Sequence, residues 1–231
     1  MAQSRLAQAG ARVLASFVRL SQSAQLLSDH ALTLGVCVEV IKADATRDTG
    51  IDALVEKVQA AFSPLHAVVF AAATGVHKPV AEMTGRHFDF TFSLNTRASL
   101  EIVNRLAPCM SAGSTIVALS SEGASRGIPT YSLVGASKAA LESLVRNFAV
   151  EFAPRGVTVN CLSPGSVLTD AWRALPDADE RLKAATAQSP RGRLTDLGEV
   201  ADTALFLCSS AARGISGQVL VVDGGARIAG R

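Results

Sequence analysis

The chain has 231 residues, 48% of them apolar and 18% charged, with a formal net charge of +2. That length and apolar content suit one domain with a sizeable core, near the upper end of what a single core supports. Acids and bases are interspersed without a basic block, which argues against nucleic acid and an anionic membrane surface as partners.

In chain order, Ala2 to Ala9 reads as the second half of a helix that stops at Gly10, a residue suited to a left-handed cap. Arg12 to Phe17 then reads as a strand, Ser21 to Leu34 as a helix and Val36 to Ile41 as a strand. Gly50 to Phe62 reads as a helix, His66 to Ala71 as a strand and Gly85 to Ala107 as a helix. Ser114 to Leu119 (strand), Ser132 to Phe152 (helix), Val157 to Cys161 (strand), Leu197 to Ser209 (helix) and Gln218 to Val222 (strand) complete the pattern. The strand candidates are short, continuous and rich in Val and Ile, as in parallel strands covered on both faces. The alternation predicts an α/β fold, a doubly wound, Rossmann-like parallel sheet in three layers, forming a single domain over residues 1–231. Ligands of such sheets sit beyond the carboxyl ends of the strands. A dinucleotide fold of this kind opens one strand earlier, with a glycine-rich turn. Here no GxGxxG or TGxxxGxG follows a strand, and Gly224-Gly225 come after the last one. The fold is therefore expected to be N-terminally truncated.

The cysteines Cys37, Cys109, Cys161 and Cys208 form no CxxC pair and no zinc-like spacing with histidine. Cys37, Cys161 and Cys208 lie in apolar runs and read as buried free thiols. With no signal peptide and no apolar run of membrane-spanning length, they imply a cytoplasmic protein. His30, His66, His77 and His87 sit in different elements, lack HExxH-like spacing and read as surface or loop residues, so no metal is expected.

Tyr131 and Lys138 lie seven residues apart at and within a predicted helix. Seven residues is close to two turns, which puts both side chains on one side, roughly 10.5 Å apart along the axis. A phenol can donate to a carbonyl oxygen, and a nearby ammonium favours the phenolate and can hold sugar hydroxyls. On spacing alone, a surface tyrosine at a helix start and a solvated lysine are the favoured reading. Tyr131 is the single tyrosine, so any role that needs a phenol has one candidate.

The segment from Ile116 to Asp170 resembles the short-chain dehydrogenase/reductase family: a strand ending in Ser120-Ser121, a Tyr–Lys helix, a Val157-Thr158-Val159-Asn160 strand and a Pro164-Gly165 loop reaching Thr169. Arg5 to Phe17, Lys42-Ala43-Asp44, Leu94-Asn95-Thr96 and Gly217 to Gly225 resemble further family segments in the expected order. Most of the family places its tyrosine four residues before the lysine, where this chain has Val134. Tyrosine at seven resembles the enoyl-acyl carrier protein reductases, including their third, triclosan-tolerant type.

The resemblance implies an NADPH-dependent reductase of an enoyl thioester. Tyr131 would stabilise the enolate oxygen, and Lys138 would hold the nicotinamide ribose. Ser121 stands where some enoyl reductases carry a second tyrosine; it either lines the pocket or is an ordinary strand-end serine. Asn95 corresponds to the helix asparagine that orders a water near the lysine, or else faces solvent. Pro164, Gly165, Val167 and Thr169 match the loop that grips the carboxamide and phosphates, although turn chemistry also explains Pro-Gly. Asp44, next to Ala45, resembles the acid that contacts adenine. No acid ends the strand before Arg19, whose guanidinium suits a 2′-phosphate and so favours NADPH over NADH; a solvated loop cation is the competing reading. Ala72 lies in Phe70-Ala71-Ala72-Ala73, where the family usually has N-N-A-G or N-N-A-A. Ala171 to Arg193 matches a mobile substrate lid in position. The family's habit implies a homodimer or homotetramer.

The absent first strand and phosphate loop read as a shortened or wrongly started chain, as a variant that binds cofactor weakly, or as a non-catalytic subunit or scaffold. The first is favoured, and NADPH binding to the chain as given is expected to be poor. Carbonyl reduction or alcohol oxidation is the rival chemistry within the family.

Overall fold

A computed structural model describes residues 2–18, 36–169 and 178–229. The predicted helix at Ser21 to Leu34 and Arg19 lie outside the described residues. The chain opens with α1 (Ala2–Gln8), and Gly10 follows in the left-handed region at φ +89°. Strands β1 (Val13–Phe17) and β2 (Val38–Lys42) come next, then α2 (Asp48–Ala61) and β3 (Leu65–Phe70). Helix α3 (Gly85–Phe92) runs through a π-helical turn (Ser93–Arg97) into α4 (Ala98–Leu106). After β4 (Met110–Leu119) come α5 (Ser132–Phe152), β5 (Thr158–Pro164), α6 (Ala178–Gln188), α7 (Leu197–Leu207) and β6 (Val219–Val222).

Every pairing is parallel, so within each sheet the strands point their carboxyl ends the same way. The predicted sheet is divided in two: β1–β2, and β3–β4–β5–β6. Among the described residues β1 pairs only with β2 and β3 only with β4. Helix α2 spans the division, because Ile51, Val55 and Val58 pack with Leu14 of β1 and with Leu65, Val68 and Phe70 of β3.

Alternation along the strands builds the layers. Ile116, Ala118, Val159 and Cys161 face Leu141, Val145, Phe148 and Ala149 of α5. Val117 and Leu162 point the opposite way, against Val200, Ala204 and Leu207 of α7. Helices thus cover both faces, and Ser114 to Ala118 of β4 and Val159 to Ser163 of β5 are buried, as their continuous apolar runs require.

Two expectations need correction. The predicted Gly85–Ala107 helix is present over Gly85–Leu106 but is not uniformly α: a π turn at Ser93–Arg97 carries Asn95, which is buried there. Cys37, expected to be buried, is exposed, because β2 begins one residue later and leaves it at the rim of the small sheet. Helix α6 has no buried residue, hence no apolar stripe by which the sequence could announce it.

Leu162 is fully buried in the α7 side of the core. Leu162→Ala is expected to lower the unfolding free energy by about 2–5 kcal/mol, measured by urea denaturation.

Candidate active site

The carboxyl ends of β3, β4 and β5 meet the first turns of α5, and the polar side chains of the site converge there. The chain leaves β4 through Ser120 and Ser121 into a 3₁₀ turn (Glu122–Ala124). It enters α5 through Thr130, held at φ +63°, a conformation that costs a β-branched residue of order 1–3 kcal/mol. That turn delivers Tyr131 as the residue immediately before the helix.

The two turns of helix between Tyr131 and Lys138 do not keep their ends apart. The Tyr131 hydroxyl lies 3.2 Å from Ser121 Oγ, and Lys138 Nζ donates to the Leu119 carbonyl at 2.7 Å. Those two partners are two residues apart on one strand end, about 6.6 Å. Both side chains therefore lean to the same place.

Lys138 is 4% exposed, and burial lowers its pKa from 10.5 to about 8. Burial also raises the Tyr131 phenol above its ordinary value, and the Glu122 charge adds to this, while the Ser121 hydrogen bond works in the opposite direction. Ser121 is thus joined to the phenol rather than being an unengaged strand-end residue.

Asn95 is buried and does not face solvent. Its Nδ2 donates to the Thr74 carbonyl at 2.8 Å and to Ser137 Oγ at 2.9 Å, and its Oδ1 accepts from Thr74 N at 2.9 Å. Both amide donors are committed, so Asn95 staples the segment after β3 to α5. The same segment closes over Val134: a Cβ on Gly75 would collide with Val134 Cγ2. Val134 is buried, so the position four residues before Lys138 holds an apolar side chain under a close backbone and offers no room for a phenol there.

The remaining expected residues end or follow strands β2, β3 and β5. Ala72 is exposed beyond β3. Pro164 ends β5 and pairs with Val222; Gly165 sits where a Cβ would approach Asp223 to 2.8 Å. Val167 bridges to Thr195, and Thr169 is half-buried. Asp44 and half-buried Ala45 follow β2 on the smaller sheet. The Asp44 carboxylate accepts from Thr46 N and Oγ1, at 3.0 and 2.6 Å, and those bonds hold its pKa below the usual carboxylate value. Asp44 therefore shapes the turn into α2. Gly50 allows this turn, since a Cβ there would run into the Asp44 backbone.

Three contributors escaped the sequence reading: Thr74, Gly123 and His77. A Cβ at Gly123 would lie 2.6 Å from Cδ1 and Cε1 of Tyr131, so glycine is what admits the ring. The His77 ring lies 5.3 Å from the Tyr131 ring, centroid to centroid, at 45°. No spacing rule links residue 77 to 131; a glycine two residues after the apolar strand–alanine run was the available hint for the loop.

Helices on both faces of parallel strands, with a phenol and a buried ammonium converging beyond the central strand, define a class: the nicotinamide-dependent oxidoreductases of the short-chain type. Residues 2–227 match the family model described as enoyl-(acyl carrier protein) reductase, and the chain belongs to that family. It is 33% identical over 232 residues to the hydroxynaphthalene reductase-like protein Arp2 of Metarhizium majus (strain ARSEF 297), covering 95% of this chain and 87% of that one. It is 32% identical over 225 residues to 1-cyclohexenylcarbonyl-CoA reductase of Streptomyces collinus, covering 96% and 80%. The crystal structure of enoyl-[acyl-carrier-protein] reductase (NADH) from Aquifex aeolicus VF5 superposes with a TM-score of 0.89 at 28% identity, over 100% of this chain and 91% of that one.

The buried lysine yields a prediction with a definite sign. The folded state binds the Lys138 proton more weakly than the unfolded chain does, so burial destabilises the fold fully below about pH 8 and ceases to do so by about pH 10.5. Lys138→Met keeps the apolar stem without the charge. In protein without cofactor, its unfolding free energy relative to wild type should be most favourable below pH 8. That difference should shrink by roughly 3 kcal/mol as the pH rises towards 10.5, measured by urea unfolding at each pH.

Proposed function

We propose that this protein is an NADPH-dependent reductase of the carbon–carbon double bond of an enoyl thioester, with Tyr131 and Lys138 at the reacting end. The observation that carries the reading is the phenol at Tyr131, hydrogen-bonded to Ser121, combined with a closed apolar position at Val134. A carbonyl reductase needs its phenol beside the carbon that receives hydride. An enoyl thioester receives hydride at its β-carbon, with the thioester oxygen three bonds away instead of one, and a displaced phenol suits that oxygen.

The residues fit the nicotinamide half of the cofactor. Lys138 Nζ has three N–H groups and gives one to Leu119 O, which leaves two for ribose hydroxyl oxygens. Pro164 ends β5 and Gly165, Val167 and Thr169 follow it; these would take the carboxamide and phosphates, and Asp44 and Ala45 would border the adenine. Arg19, two residues past β1 in the sequence, supports a 2′-phosphate and hence NADPH.

When bound, the cofactor supplies the hydride. The Tyr131 hydroxyl donates to the thioester oxygen as negative charge develops there. Ser121 holds that hydroxyl in place, and the Lys138 charge stabilises the phenol's conjugate base. Asn95 keeps the segment after β3 closed over α5, which excludes water from the space around Val134.

A second reading, reduction of an aromatic ketone, is favoured by one observation: relatives named hydroxynaphthalene reductase-like align over 95% of the chain.

The deciding assay follows cofactor oxidation with crotonyl thioester, with a β-ketoacyl thioester and with a naphthol-type ketone, using NADPH and NADH separately. Crotonyl thioester with NADPH should be turned over fastest, and Tyr131→Phe should reduce that rate by about 10²–10⁴-fold with the fold intact. Turnover of the ketone substrates with none of crotonyl thioester would sink the enoyl reading.

A further inference from the structure

His77 reads from the sequence as a surface histidine and is exposed, yet three contacts of the segment it belongs to set its position. Thr74, three residues earlier, is bonded through both its N–H and its carbonyl to Asn95. Gly75 sits directly on Val134. The imidazole then meets the Tyr131 ring at 5.3 Å between centroids and 45° between planes. That tilted geometry falls within the range of favourable aromatic pairs.

A tyrosine side chain has two torsions to settle, and Ser121 engages only its hydroxyl end. The ring itself touches Gly123, where a missing Cβ leaves space, and a space formed by glycine does not hold a ring without something closing it. His77 is the aromatic group that lies against the ring.

The charged surroundings favour a neutral imidazole in this role. Partial burial and the Arg181 charge on α6 both lower the His77 pKa. The phenol faces the Ser121 hydroxyl and the Glu122 charge; Glu122 is itself paired with Arg126 at 3.1 Å. A neutral ring adds no further charge beside the phenol and displaces water from it.

Building on the reductase reading above, we propose that His77 is a positioning residue of this site: its imidazole holds the Tyr131 ring against Gly123 and shields the phenol from water. It touches neither hydride nor proton. Its effect is exerted through Tyr131.

Because the chain has a single tyrosine, phenolate absorbance in the near ultraviolet reports Tyr131 alone. The experiment titrates the full chain as wild type, His77→Ala and His77→Phe, with circular dichroism at each pH to restrict the comparison to folded protein. The same three proteins are assayed with crotonyl thioester and NADPH. In His77→Ala the phenol should titrate closer to its ordinary value of 10.0, since water regains access to it. The rate at saturating substrate should fall about tenfold, with KM for NADPH unchanged. His77→Phe restores a ring without a titrating group and should bring both readouts back to within about twofold of wild type. An unmoved phenol titration in His77→Ala overturns the proposal, and so does a His77→Phe protein as impaired as His77→Ala. Should wild type leave crotonyl thioester untouched while the titration still shifts as stated, the reductase reading fails and the positioning of Tyr131 by His77 stands.

Discussion

Packing of α5 onto β4 and β5 places the whole site. Leu141, Val145, Phe148 and Ala149 bury one face of the helix against Ile116, Ala118, Val159 and Cys161, all with very low exposure. Burial of each larger side chain of this kind contributes about 1.5–3 kcal/mol, so the helix cannot shift without losing several such terms. Lys138 lies one turn before Leu141 on the same inward face and is carried into the interior with it. Its ammonium then needs a partner, and the carbonyl of Leu119, at the end of the strand the helix covers, supplies one. The hydrophobic contact thereby offsets the cost of a buried cation and sets Lys138 beside the strand end where Tyr131 also arrives.

Small residues decide how closely the segments around this helix approach it. Gly75 lets the chain after β3 lie on Val134, Gly123 admits the Tyr131 ring, and Gly135 touches the Gly123 backbone so closely that a Cβ would strike its carbonyl. The π turn acts in the same direction. By widening one turn between α3 and α4 it brings the Asn95 amide onto both Thr74 backbone groups and Ser137, so three segments are tied by one side chain. Backbone groups in a non-repetitive segment need partners when buried, and this amide provides them.

Relatives carrying names of two chemistries align along nearly the whole chain. The shared frame explains why. A phenol and a lysine at the end of a parallel strand can polarise any oxygen placed before them. What separates a ketone from an enoyl thioester is the distance from that oxygen to the carbon that takes hydride. A phenol at position 131 instead of 134 starts one helical turn further from Lys138, which shifts where such an oxygen can be met. The division of the sheet does not disturb this end of the fold, because β3 to β6 and α5 form their own packed unit.

The order of strands and helices was legible in the sequence, because burial on both faces leaves continuous apolar runs and amphipathic helices leave a period. Each of the six strands read from such runs is present, and α5 has the bounds its pattern predicted. Tyr131, Lys138, Ser121 and Asn95 were picked out by resemblance to a family pattern, and the structure gives each a partner from another segment. What the chain order could not convey is proximity between segments without a shared period. The inward turn of Asn95, the exposure of Cys37 and the seating of His77 against Tyr131, more than fifty residues away, depend on contacts between elements. Those contacts exist only once helices and strands have packed, and local pattern carries no record of them.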